Sequence, residues 1–216
     1  MNPKICIVFN GGAAGDFFLT LVSQQINDYK EIINDNGAVL NSVGHSFKMA
    51  CQEFYEQKFN PDVFLQCKLA PVVNTHYCYQ ELIDLFPDCR FYYIDDSDYI
   101  DITVETYIKK RVLPDYSSLL EWIHEWHNFF KITKIKNLTD DQIKIIMKND
   151  WKKNLKNWKT LNMKSINLKD IINSTSCCKI VEDLLQSSIN TDKLNQTHSA
   201  WTSKNLELIT RIKYKL

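Results

Sequence analysis

The chain has 216 residues, 44% hydrophobic and 12% aromatic, and its 26 basic and 26 acidic residues leave no net charge. That composition excludes a disordered chain, and the neutral balance argues against a broad nucleic-acid footprint, which needs a basic excess. The seven cysteines include no Cys-x-x-Cys pair and read as free thiols acting as small hydrophobes in a reducing compartment.

The N-terminal residues lead straight into an apolar run, without the basic, apolar and cleavage-site succession of a secretory signal. Nowhere does an apolar run approach the roughly 20 residues that cross a bilayer. A cytoplasmic protein without a membrane partner is expected, formed of one domain over residues 1–216 and helix-rich from about residue 99 onward.

Residues 5–9 (ICIVF) form a continuous β-branched, apolar run, as in a parallel strand buried on both faces. Asn10-Gly11-Gly12-Ala13-Ala14-Gly15 interrupts it. Phe17, Phe18, Leu21, Val22 and Ile26 then recur at helical spacing, so the chain reads strand, glycine loop, helix. A short strand is predicted over 39–43, an aromatic-rich helix over 47–57, a core strand over 71–75, a short helix over 79–86 and a third strand over 90–94 (RFYYI). Strands alternating with helices predict parallel βαβ units. Helical periodicity dominates the remainder, over 99–112, 117–130, 140–158 and 202–213, with one short strand at 164–168.

The loop carries the most chemistry. A helix N-terminus presents N–H groups and the positive end of the peptide dipole, and glycines before it let the backbone close on an anion. Gly11, Gly12 and Gly15 meet that need, and Ala13 and Ala14 keep the loop small. The alternative is a tight turn with Asp16 as a structural cap.

His76, at the carboxyl end of a predicted strand, lies where open α/β sheets bind ligands. It reads either as a general base toward an acceptor hydroxyl or as a structural histidine bonded to the backbone. Glu121, His124 and His127 share one helix face and read as a metal site or as part of a core helix. The run Asp95-Asp96-Ser97-Asp98 reads as a helix cap with Ser97 or Asp98 at the N-cap, or as Mg²⁺ ligands of a kinase-like site. Basic clusters stand at Lys109, Lys110 and Arg111 and at Lys152, Lys153 and Lys156. They read as solvated faces or as a source of the positive charge that the loop lacks.

Several segments, in order, resemble the P-loop sulfotransferases, whose first strand leads into a loop of the form Pro-Lys-Ser-Gly-Thr-Thr-x-Leu. Gly12-Ala13-Ala14-Gly15-Asp16-Phe17-Phe18-Leu19 stands in that position: Gly15 and Leu19 match, the family Lys falls on Ala13, and its two Thr fall on Asp16 and Phe17. Val72-Val73-Asn74-Thr75-His76 looks like the family's strand ending in Thr-His, and residues 85–94 repeat its Phe-Pro pair and following strand. The family's Arg and Ser for the donor's 3′-phosphate fall on Asp95 and Thr103. The segments 166–170 and 198–205 sit where it has similar elements.

The resemblance implies an α/β three-layer sandwich with a mostly parallel sheet and a helical C-terminal half. It implies transfer of a sulfonate from the nucleotide donor PAPS to a hydroxyl of a small molecule or glycan, without a metal. Gly11, Gly12, Ala13, Ala14, Gly15, Asp16 and Phe17 would hold the donor's 5′ side, Asp95 and Thr103 its 3′ side, and His76 would stand near the acceptor. A divergent P-loop kinase or NTPase, and a catalytically degenerate P-loop binding protein, are the alternatives.

Overall fold

The computed structural model describes residues 3–26, 32–33, 39–40, 42–67, 69–109 and 139–215. The helix expected over 117–130, with Glu121, His124 and His127, lies outside these residues, as do Lys110 and Arg111.

β1 (Ile5–Val8) runs into the glycine loop and α1 (Gly15–Ser23). A two-residue antiparallel pair, β2 (Ile32–Ile33) and β3 (Val39–Leu40), precedes α2 (Ser42–Glu56). A 3₁₀ turn at Pro61–Phe64 leads to β4 (Val72–Thr75), α3 (Gln80–Leu85) and β5 (Arg90–Asp95). After a 3₁₀ turn at Ser97–Tyr99 come α4 (Ile100–Tyr107), α5 (Asp140–Thr160) and β6 (Lys164–Asn167). The chain continues through α6 (Leu168–Ile172), α7 (Ser174–Leu185), α8 (Thr191–Lys204) and α9 (Leu206–Tyr214).

The fold is α/β with a helical C-terminal part. Its main sheet has four strands, all parallel, in the order β4-β1-β5-β6. Ile5 stands opposite both Val72 and Arg90, and Tyr92 opposite Lys164. Both faces of the sheet are covered, which is why β1 reads as an unbroken apolar run. Cys6 and Val8 point to one side, into a core with Phe47, Phe54, Leu82, Trp151 and Trp158. Ile5, Ile7 and Phe9 point to the other, among Phe18, Leu21, Leu168, Val181, Leu194 and Ile212. Each such fully buried side chain contributes roughly 1.5–3 kcal/mol.

The expected strands at 71–75, 90–94 and 164–168 are present within a residue or so at each end. The helix expected over 202–213 is two helices that break at Asn205, whose Nδ2 donates to the Trp201 carbonyl at 2.9 Å and caps the first. α6 and α7 had no counterpart in the sequence reading. None of the seven cysteines is in a disulfide. Among the described residues, no helix is long and apolar enough to cross a membrane.

Candidate functional site at the carboxyl edge of the sheet

β1 is flanked by β4 on one side and β5 on the other, so successive connections leave it in opposite directions. Open sheets bind ligands beyond the carboxyl ends of strands at such a reversal. Here that edge divides into two polar clusters, one on each side of the loop.

On the β5 side the cluster is internal. Asn10, the residue that ends the β1 run, is buried and donates from Nδ2 to Asp96 Oδ1 at 3.2 Å and to the Trp151 carbonyl at 3.4 Å. Its Oδ1 accepts from Asn154 of α5 at 3.2 Å. The Thr103 hydroxyl, fully buried in α4, lies 2.9 Å from Asp96 Oδ2 and 3.1 Å from the Ile100 carbonyl. Burial pushes the Asp96 carboxyl up to about 6, against the lowering effect of the Thr103 and Asn10 hydrogen bonds.

The glycines of the loop meet protein. A Cβ on Gly11 would lie 2.6 Å from the Tyr107 ring, and one on Gly12 would lie 2.5 Å from the Thr103 carbonyl oxygen. Gly12 has φ +77°, a conformation that side chains resist. A Cβ on Gly15 would fall 2.1 Å from the Phe9 ring. α4, α5 and Phe9 therefore dictate small residues here. Ala13 is buried, and Ala14 takes the left-handed conformation (φ 55°) as the N-cap of α1, with no side-chain cap bond.

Asp16 is not that cap. It stands in the first turn, and its half-exposed carboxylate reaches sideways to accept from Asn74 Nδ2 of β4 at 2.9 Å and to meet Lys48 Nζ of α2 at 3.4 Å. This is the β4-side cluster. The Lys48 side chain is only 17% exposed and its ammonium lies 5.3 Å from the centre of the Phe9 ring. Asn74 is buried, and its Oδ1 has no hydrogen-bond partner among the described residues. His76 Nδ1 lies 2.6 Å from the Phe9 carbonyl oxygen, with the two rings edge to face at 4.8 Å. A ring that donates from Nδ1 carries its basic lone pair on Nε2. Phe17 faces away from the edge and stacks on Trp201 of α8, ring centres 4.0 Å apart.

The structure thus brings Asp16, Asn74 and His76 to one end of β1 and β4, and adds Lys48, which the sequence reading missed. Thr103 faces inward onto Asp96 and away from solvent. Asp95 does not gather with the loop residues. It accepts from the Ser97 amide at 3.0 Å and pairs with Lys159 at 3.5 Å, while Asp96 and Tyr99, and neither Ser97 nor Asp98, hold the N-cap positions of the turn and helix that follow. Burial opposes the ionisation of Asp95, but these hydrogen bonds and the Lys159 cation hold the carboxyl below its usual range. Lys152, Lys153 and Lys156 lie on the exposed face of α5, and Lys109 pairs with Glu207 at 2.9 Å. Among the described residues, no three His, Cys, Asp or Glu side chains converge as a metal site.

One further buried carboxylate stands on α5, next to Trp151. Asp150 of α5 is buried, its Oδ2 has no hydrogen-bond partner among the described residues, and burial pushes it up to about 6, eased by Lys153.

Comparison with family models, curated proteins and solved structures finds no match to this chain.

Proposed function

We propose that the chain is a sulfotransferase-like transferase with a P-loop-type three-layer architecture, which grips the sulfonate end of PAPS at the first turn of α1 and transfers it to a hydroxyl of a small molecule or glycan. The observation that carries this reading is Lys48. The loop has no lysine of its own, and α2 delivers one, largely buried, to the first turn of α1. A desolvated cation beside helix N–H groups is the arrangement that stabilises charge developing on a transferring group.

In the proposed step the acceptor hydroxyl gives its proton to His76 Nε2 while its oxygen attacks the sulfonate sulfur. The bond from sulfur to the bridging oxygen of the donor breaks, and the electron pair leaves on the donor phosphate. Lys48 and the amides of Gly15 and Asp16 gather that charge. Asn74 and Asp16 hold Lys48 in place. Asp95 and Thr103 make no direct donor contact in this scheme: the first is held by the Ser97 amide and Lys159, and the second supports the loop from below.

A second reading, binding without turnover, draws on the Asp16 carboxylate. It lies against Lys48 and offsets the positive charge that an anion would seek. The kinase alternative lacks support of this kind, because the carboxylates of Asp95 and Asp96 are both engaged by the protein's own donors.

A thermal-shift titration with PAP, with ATP and Mg²⁺, and with buffer alone separates the three. Transferase chemistry predicts stabilisation by PAP without metal, its loss in Lys48→Ala, and its retention in His76→Ala together with loss of transfer. A shift only with ATP and Mg²⁺ would favour the kinase. No shift with either would leave neither nucleotide reading standing.

A further inference from the structure

The Thr103 hydroxyl has a single proton and stands between two acceptors, Asp96 Oδ2 at 2.9 Å and the Ile100 carbonyl at 3.1 Å. Both contacts are made in full only when the carboxyl carries a proton. The Asp96 O–H then donates to Thr103 Oγ, Thr103 donates to Ile100, and Asp96 Oδ1 still accepts from Asn10. An ionised Asp96 would strand a charge in a wholly buried position with no cation among the described groups that bond it. Asn10 in turn uses both of its N–H protons, one on Asp96 and one on Trp151. The loop of residues 11–14 starts from that anchored residue and rests on the Thr103 backbone.

We propose that Asp96 is a positioning residue that, in its neutral carboxylic acid form, fixes Asn10 and Thr103 and through them the loop at the start of α1. Neutrality serves an anion site directly, because it removes a negative charge from beneath the loop. Burial holds the proton on Asp96 up to about pH 6, so the loop tightens below that point and loosens above it.

The titratable neighbours are Asp95, tied to Ser97 and Lys159, Asp150 next to Trp151 on α5, Tyr107 against Gly11, and His76, which reaches the residue before Asn10. All four persist in Asp96→Asn, so the difference between that variant and the parent isolates Asp96. The Asn side chain mimics the neutral acid: its oxygen accepts from Asn10 and its nitrogen donates to Thr103.

The test is carbon NMR of the aspartate carboxyls in the full chain, with Asp96 assigned from the signal missing in Asp96→Asn. Amide exchange of Gly11, Gly12 and Ala14 in both proteins accompanies it. Asp96 is expected to titrate at about 6. Loop exchange should rise more steeply above that pH in the parent than in Asp96→Asn. A midpoint near the ordinary value of about 3.9, or identical exchange profiles in the two proteins, would overturn the proposal. A PAP titration adds a functional arm that rests on the transferase reading: the PAP shift should weaken with rising pH in the parent and hold in Asp96→Asn. Absence of any PAP shift would count against that reading alone, since the NMR and exchange measurements need no ligand.

Discussion

Gly15 and Phe9 decide how closely α1 approaches β1. The Phe9 ring is buried and occupies the place of a Gly15 side chain, at 2.1–2.2 Å from where its Cβ would stand. Gly15→Ala must displace that ring and with it Lys48 and His76, which both touch it. We expect a loss of about 1–3 kcal/mol or more in urea unfolding, so this position is a poor probe of binding alone. Asp150 works in the opposite sense. Burial raises it to about 6 in the folded chain, while the unfolded chain keeps the ordinary value of about 3.9. Between those two pH values the native state still holds a proton that the unfolded state has released. Stability therefore falls as pH rises through that window and levels off above it, by up to about 3 kcal/mol for this group. Asp150→Asn should be the more stable protein at pH 8, and should show a smaller difference between pH 4 and pH 8. The need for a glycine at position 15 was legible in the sequence, but its cause was not: nothing in the order of residues says that Phe9 folds back under it. Lys48 was illegible for a similar reason, as a single lysine in an aromatic helix 32 residues from its partner.

α5 shows how an element acts at a distance. Its start is set by a capping box: Thr139 accepts from the Gln142 amide at 3.3 Å, and Gln142 accepts from the Thr139 amide at 2.8 Å. Thr139→Ala should cost about 1 kcal/mol, measurable as a lower midpoint in thermal unfolding. From there the helix lays Trp151 and Trp158 into one core, while Asn154 reaches Asn10 and Asn157 donates to the Cys78 carbonyl at 2.9 Å. The parallel strands were readable because burial on two faces demands consecutive apolar, β-branched residues, a local signal. α7 was not, because it buries only Cys177, Val181 and Leu184, a narrow stripe amid small and polar residues that contrast weakly with it. The elements came from local pattern, whereas the pairing of Asp16 with Lys48 and of Asn10 with Asp96 came from topology.

At the scale of the whole molecule, the two cores place most of the thiols beyond the reach of solvent. Cys6, Cys51, Cys78, Cys89 and Cys177 are buried, and burial raises them all, Cys89 and Cys177 to about 12. Since the thiolate is the reactive form, an aromatic disulfide reagent at pH 8 should modify only Cys67 and Cys178 in the folded chain. The other five should react when denaturant is added, and rapid native labelling at Cys6 or Cys51 would contradict the packing described. The glycine loop depends on the same long-range assembly. Its shape is moulded by Tyr107, Trp151 and Asn154, the last two lying 141 and 144 positions downstream of Asn10. Strand, loop and first helix are contiguous in the chain, yet they are not a portable cassette. Cut out and grafted onto another parallel sheet, residues 3–26 would arrive without the mould that casts them, and only a transplant carrying α4 and α5 as well would keep the loop's form.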